Sequence, residues 1–466
     1  MNSTKYNFTY ILFLALATAM GGFLFGYDWV VIGGAKPFYE LYFGISEMPS
    51  WQGWAMSSAL IGCVFGAVLS GILADRWGRK NALILAAALF IVSAYGTGYT
   101  DQFSNFILYR LLGGLGIGLA STLSPMYIAE ISPAKYRGRL VAINQLTIVI
   151  GILCAQIANW VIADSIPTTL RADEILASWN TQTGWRWMFW AELIPAGLFF
   201  ILMLLVPKSP RFLVKMGKID KAMAVLEKIG GKPYAALEIR NMQRTLKNDS
   251  RKRISYAELK DPKVFPILVI GIVIAVFQQW SGINIIFNYA EEIFTAAGYS
   301  VGDMLFNIII TGSVNLIFTF VAMRTVDSWG RRKLMLIGSI GLAVVYALLG
   351  SAYYFGFSGW PVLVLVITAI AIYAMSLAPL TWVVLSEIFP NRLRGVAMSI
   401  ATFSLWVASF VLTFTFPILN KTLGSYGTFW VYSLICLIGF VFIKTKLPET
   451  KGKSLEEIEF GLTNEK

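Results

Sequence analysis

Three ionisable side chains lie inside otherwise apolar stretches of the chain: Asp28, Arg110 and Glu192. A charge at mid-membrane costs about 2.5–3.5 kcal/mol on insertion scales, so such groups are expected to face one another or a polar cavity. The chain has no histidine, which leaves proton chemistry near neutral pH to carboxylates. Asp28 stands six residues before the outer end of its stretch, Arg110 eight after the outer start of its own, and Glu192 five after its start. At about 1.5 Å per residue, all three are expected at one depth, roughly 8–12 Å below the outer surface. A carboxylate's hold on a proton depends on how dry it is and which charges adjoin it. Such a cluster could load and release a proton as it rearranges, or it could lock three helices together as an ion-pair knot.

A second set is made of amides: Gln278, Gln279, Asn284 and Asn288 in one stretch, Asn144 and Gln145 in another, Asn315 in a third. On an unbroken helix Gln278 and Asn284 point about 240° apart, at 3.6 residues per turn. Ser281-Gly282 lies between them, a natural place for the helix to unwind and aim the amides at one cavity. Singly, an embedded amide more often bonds between helices. A third set sits at the inner ends: Asp75, Arg76 and Arg79; Glu130 with Arg137; Asp327, Arg331 and Arg332; Glu387 with Arg394. As solvated surface pairs each would be worth about 0–1 kcal/mol. Their repetition predicts an interlocking network that closes the inner side.

The elements that position these groups follow from composition. Hydrophobic residues make up 57% of the 466 and charged residues 14%, against about a quarter charged in soluble domains. Lipid is therefore the expected solvent. Roughly 20 apolar residues span a bilayer as helix, and twelve stretches qualify: 8–34, 51–74, 81–99, 102–124, 138–162, 187–206, 264–296, 302–325, 334–355, 361–387, 393–416 and 427–446. The first carries no small-residue cleavage site and reads as a retained helix rather than a signal peptide. With the N-terminus inside, 33 of the 38 Lys and Arg fall on inner segments. That is the positive-inside bias; it places both termini in the cytoplasm and explains the net charge of +12 without a nucleic-acid partner. The exceptions are Lys36, Arg110, Arg171, Arg186 and Lys421. Cys63, Cys154 and Cys436 offer neither a disulfide framework nor metal spacing, and no cofactor is implied.

The polar stretch 207–262 divides the twelve stretches six and six. Asp75-Arg76-Trp77-Gly78-Arg79 recurs as Asp327-Ser328-Trp329-Gly330-Arg331, 252 residues on; Glu130 and Gly138 recur as Glu387 and Gly395, 257 on. This predicts an all-α membrane protein of two pseudo-symmetric six-helix bundles, 1–206 and 263–447, with a helical cytoplasmic linker at 207–262 and a cytoplasmic tail at 448–466. Parallel repeats imply a site between halves that rock about the midplane.

These motifs also carry a likeness. Together with Pro125-Met126-Tyr127-Ile128-Ala129-Glu130, Gly184-Trp185-Arg186-Trp187-Met188-Phe189, Val206-Pro207-Lys208-Ser209-Pro210-Arg211, Gln278-Gln279-Trp280-Ser281-Gly282-Ile283-Asn284 and Pro448-Glu449-Thr450-Lys451-Gly452, they resemble the sugar porter family of the major facilitator superfamily. The resemblance covers essentially the whole length and points within the family to bacterial D-xylose–proton symporters. It implies that Asp28, Arg110 and Glu192 form the proton-coupling group. Facilitative members have a neutral Asn where Asp28 stands, so retention of all three charges favours symport. It also implies that Phe25, Gln278, Gln279, Asn284, Asn288, Trp382 and Trp406 line the sugar site, and the embedded amides Gln145 and Asn315 are expected to join them. The chemistry is apt: amides donate and accept on one side chain, as hydroxyls do, and aromatic faces suit the C–H faces of the ring. There are departures. Lys208 stands where the family has Glu, Asn288 replaces a Tyr, and Leu405 and Ile152 replace Gln residues.

The expected function is import of a xylose-like monosaccharide with a proton by alternating access, in the cell membrane, the chain working as a monomer. A facilitative uniporter is the alternative, and the charged triad counts against it. A non-transporting sugar sensor would carry a long signalling extension, and the stretch after Pro448 is short. A channel would differ in lacking saturable uptake. An enzyme is the least expected reading, since the sequence shows no histidine and no nucleophile–base or metal constellation.

Overall fold

The computed structural model describes residues 6–164, 172–249, 256–389 and 393–451. The basic run Arg251–Lys252–Arg253, Arg171, Arg392 and the tail from 452 lie outside them. The described chain is helical from end to end. α1 (Phe8–Tyr42), α2 (Pro49–Arg76), α3 (Arg79–Tyr99), α4 (Phe103–Ile131), α5 (Arg137–Ile162) and α6 (Asn180–Leu205) make six crossings. α7 (Ile219–Asp249), bent at Gly230-Gly231, lies in the linker.

The second half is more broken. Its first crossing is α8 (Phe265–Trp280) and α9 (Ile283–Asn288), continued by α10 (Ala290–Ala296). α11 (Val301–Trp329) and α12 (Arg331–Tyr354) follow, then α13 (Trp360–Met375) and α14 (Leu377–Ile388), parted at Ser376. α15 (Arg394–Lys446) runs for 53 residues with one non-helical position at Gly424. At about 1.5 Å per residue it is roughly 80 Å long, too long for one crossing of about 30 Å. It holds two, and the total is twelve.

Helix ends differ from the apolar runs where charges are satisfied. The first run ends at 34, yet α1 continues through Lys36 and Glu40 to Tyr42, because those two charges pair with each other one turn apart at 3.1 Å. The repeat is visible in the backbone. Gly78 (φ +82, ψ +158) and Gly330 (φ +92, ψ +147) make the same tight turn at the start of α3 and α12, a conformation only glycine adopts readily.

Glycines also let helices touch backbone to backbone, as in membrane packing generally. A methyl on Gly26 of α1 would stand 1.9 Å from the Ile148 carbonyl oxygen on α5, and one on Gly114 of α4 1.8 Å from that of Ala59 on α2. α1 packs along α5, α2 and α3 along α4, and α12 and α8 along α15. The two halves meet through α2 against α15, α5 against α11, and α1 against α9 and α10. The segment just before α1 docks on the linker: Tyr6 packs edge-on against Tyr234, and against Tyr136 of the α4–α5 turn, and the Asn7 N–H donates to Ile229 O at 2.9 Å. That face is called the linker end below, the opposite one the far end.

Candidate functional site

Close contact between α1, α4 and α6 brings the three embedded charges together. Asp28 (1% exposed), Arg110 (2%) and Glu192 (1%) are all buried. Arg110 Nη1 donates to Asp28 Oδ1, and Nη2 reaches the Asp28 carbonyl oxygen at 3.4 Å. Gly113, one turn along α4 from Arg110, leaves the space: a methyl there would lie 2.9 Å from Asp28 Oδ2. The guanidinium also stands 5.7 Å from the Phe189 ring centre. Glu192 occupies a break in α6, between Trp190 and Leu193. The set is unsaturated: Asp28 Oδ2, Arg110 Nε and Glu192 Oε1 are buried without a hydrogen-bond partner among the described residues. A buried polar atom left unpaired costs about 1–3 kcal/mol, so any change that supplies a proton or a new partner shifts this balance.

The seventh crossing unwinds where the sequence suggested. Gly282 sits at φ +85, ψ −4, the left-handed region. The kink brings Gln278, Gln279 and Asn284 into one ladder: Asn284 Nδ2 donates to Gln279 Oε1, Gln279 Nε2 to Gln278 Oε1 at 2.6 Å, and Gln278 Nε2 to the Tyr373 hydroxyl. Tyr373 of α13 is a partner that sequence reasoning missed, since a tyrosine inside an apolar run gives no local signal. Asn288 is buried with Oδ1 unpartnered, and its backbone faces Gly33 of α1. Asn315 is buried on α11, while Gln145 and Trp382 are exposed; none of the three joins the ladder. Phe25 and Trp406 meet with ring centres 5.9 Å apart, and Trp29, also missed, lies 5.9 Å from each. This aromatic triangle ties α1 to α15.

At the linker end the pairing differs from the expected one. Glu130 pairs with Arg79 at 2.8 Å rather than with Arg137, and Glu387 with Arg331 at 3.2 Å rather than with Arg394. The Gly78 and Gly330 turns set Arg79 and Arg331 at the start of the next helix, within reach of the ends of α4 and α14. Arg137 and Arg394 instead reach the carbonyl oxygens of Ala129 (3.1 Å) and Phe389 (3.4 Å). Asp75 accepts from Lys215 at 2.9 Å and lies 4.0 Å from Arg79; Arg76 is exposed. Arg332 reaches Lys444 O at 2.6 Å. Glu449 accepts from the backbone N–H groups of Arg331 and Arg332 at 3.0 and 3.2 Å. None of these pairs joins one half to the other. The Asp327 side chain lies outside the described residues.

Pairs across the halves occur at the far end, where the sequence showed only exceptions to a charge bias. Lys36 Nζ sits 3.1 Å from Glu40, 3.2 Å from Glu291 and 2.8 Å from Glu292. Gln52 donates to Glu40 at 3.0 Å, Asn420 to Glu292 at 3.3 Å, and Lys421 to the Glu47 carbonyl at 3.2 Å. These groups line a cavity of about 470 Å³. Arg186 is accounted for separately, donating to Asp101 at 2.6 Å in the α3–α4 turn. Hydrogen bonds from Tyr42 and Arg186 hold the Asp101 carboxyl below its ordinary range.

Comparison with known proteins places the chain in a family and matches its fold. The family model described as "Sugar (and other) transporter" matches residues 14–461. The D-xylose-proton symporter of Escherichia coli K12 is 39% identical, covering 98% of this chain and 96% of its own. The arabinose-proton symporter of Bacillus subtilis is 38% identical over 97% of this chain and 94% of its own. Among solved structures, the inward-open conformation of the E. coli xylose transporter XylE superposes with TM-score 0.84 at 36% identity, covering 96% of this chain and 99% of that one. XylE bound to 6-bromo-6-deoxy-D-glucose gives 0.78 at 37%, covering 97% and 99%. With twelve crossings in two repeated halves and a match over nearly its whole length, the chain belongs to the sugar transporter family of the major facilitator superfamily, a family of membrane carriers and not of enzymes.

Proposed function

We propose that this protein carries a monosaccharide, pentose or hexose, across the membrane together with a proton. The observation that carries the coupled reading is the buried Asp28–Arg110 pair with Glu192 beside it. A carrier without coupling has no need of three charges that are costly to bury. In this reading an ionised Asp28 holds Arg110, and protonation releases the pair and lets the loaded carrier reorient. Segments 1–206 and 263–447 act as the two rocking bodies, with 207–262 and 448–466 on the cytoplasmic side. The linker end is thus the inner face. Gln278, Gln279, Asn284, Asn288, Gln145 and Asn315 supply hydrogen bonds to the sugar, and Phe25, Trp382 and Trp406 supply apolar faces. One chain furnishes every group, so a monomer suffices.

The same reading gives the ionic clusters their roles. Lys36 clasped by Glu291 and Glu292 seals the outer mouth, because it joins α1 of one half to α10 of the other. The inner knots, Arg79–Glu130 and Arg331–Glu387, stiffen each half so that it moves as a body; Asp75, Arg76, Asp327, Arg332, Arg137 and Arg394 complete them when the inner side closes.

The test is uptake into vesicles of labelled pentoses and hexoses, with and without a proton gradient, for wild type and Asp28→Asn. Wild type should accumulate one sugar against its gradient and acidify the lumen as it does so. Asp28→Asn, a permanent mimic of the protonated form, should lose accumulation while keeping sugar binding and exchange. Near wild-type accumulation by Asp28→Asn would overturn the coupling assignment. Gradient-insensitive uptake by wild type would establish the uniporter instead.

A further inference from the structure

Gln156, on α5, is 1% exposed, and neither end of its amide has a hydrogen-bond partner. Among the described residues it is the one side-chain amide with both Nε2 and Oε1 buried and unsatisfied. Buried polar groups are paired in the great majority of cases, and exceptions call for an explanation. Here the surroundings supply one.

Gln156 lies at the joint between the halves. A methyl on Gly312 of α11 would meet its Oε1 at 1.8 Å, so the absent side chain of Gly312 is what makes room for the amide. Asn315 follows Gly312 by three residues, on the neighbouring face of the same helix. Along α5, Gln145 precedes Gln156 by eleven residues, about 20° away at 3.6 residues per turn. Ile152 precedes it by four, about 40° away and roughly 6 Å nearer the linker end. All three therefore share one face of α5. One turn beyond Gln156, Asn159 fastens α5 to α1 by donating to Val31 O at 3.0 Å. Gly33, two residues along, packs on Asn288, whose amide oxygen is also buried without a partner. Gln156 and Asn288 thus flank the same stretch of α1 from opposite halves.

We infer that Gln156 is a specificity-determining sugar ligand, its amide engaging one hydroxyl or a vicinal pair; the inference rests on the sugar-transport reading above. An amide offers a donor and an acceptor about 2.2 Å apart by its covalent geometry, and adjacent hydroxyls present the complementary pair. By the family resemblance noted above, Ile152 stands where the xylose symporters have a Gln. Gln156 returns an amide to the same helical face one turn nearer the outer mouth, and Asn288 places a second one across from it. The preferred sugar therefore differs from xylose in the hydroxyl that reaches this level. Because Gly312 covers the amide in this conformation, the contact is made when α5 and α11 stand apart. Closure of α11 strips it, which helps pass the sugar inward.

The experiment uses purified full-length protein with the sugar that wild type binds most tightly in the panel, and with every monodeoxy analogue of that sugar. Wild type should bind one analogue about ten-fold more weakly than the parent. Gln156→Leu, close in volume, should weaken the parent about ten-fold and bind that same analogue as tightly as the parent, since the group the hydroxyl sought is gone. Gln156→Asn, which keeps a shorter amide, should fall between and stands in if the Leu variant does not fold. A loss by the same factor for parent and all analogues, or no loss at all, overturns the assignment and leaves Gln156 a packing residue. A wild-type protein that binds no sugar of the panel would instead overturn the sugar reading itself.

Discussion

Replacing Lys36 by Met should open the outer mouth. The Lys36 side chain is 2% exposed, and its ammonium contacts Glu291 and Glu292 across the halves at 3.2 and 2.8 Å. When the halves part on this side, Lys36 keeps only Glu40 of its own helix. The closed state therefore loses two more charge-assisted contacts on substitution than the open state does. Fully buried, each would contribute about 1.5–3 kcal/mol. Glu291 and Glu292 are 18% and 19% exposed and line the cavity of about 470 Å³, so solvent screening reduces this to about 1 kcal/mol each. The sum, about 2 kcal/mol, corresponds to roughly a thirty-fold shift toward the outer-open state. Like-charge repulsion among Glu40, Glu291 and Glu292, no longer bridged, acts in the same direction. Spin labels at exposed Ser50, opening α2, and Thr422, on α15, report the separation of the halves by pulsed electron resonance. Cys63, Cys154 and Cys436 are replaced first. A population at longer distance should appear or grow in Lys36→Met. The exchange Lys36→Glu with Glu292→Lys, which keeps one cation among three carboxylates, should restore the wild-type distribution. Identical distance distributions for wild type and Lys36→Met, in protein that still binds sugar, would refute the reasoning.

Two further substitutions probe the sugar site. Gln279→Ala removes the middle rung of the Asn284–Gln279–Gln278–Tyr373 ladder and should weaken sugar binding about ten-fold or more, measured by calorimetry. Unchanged affinity would remove Gln279 from the site. The double change Asn288→Tyr with Leu405→Gln should move relative uptake toward xylose across a sugar panel. A fixed ranking at normal expression would show that neither position faces the ligand.

Much of this protein was legible in the chain because a bilayer imposes local rules. Every backbone group in hydrocarbon must be satisfied within its own helix, so apolar length alone located the crossings. The D-x-x-G-R turns and their 252-residue offset exposed the duplication. The burial cost of Asp28, Arg110 and Glu192 marked them before any contact was known, and Gly282 between two amide pairs marked the break. What the chain could not disclose was which side chains meet once helices adjoin. Glu130 and Arg137 are neighbours in sequence, yet the Gly78 turn presents Arg79 to Glu130 first. Lys36 read as an exception to the charge bias and as the end of an apolar run; only the approach of α1 to α10 makes it a bridge. Tyr373, Trp29 and Gln156 sit in apolar runs with no local signature, and their surroundings come from residues about 90 to 380 positions away. Lipid acts on each segment separately and can be read from each segment. Hydrogen bonds and ion pairs between helices depend on crossing geometry, which close glycine contacts set at positions far apart in the chain.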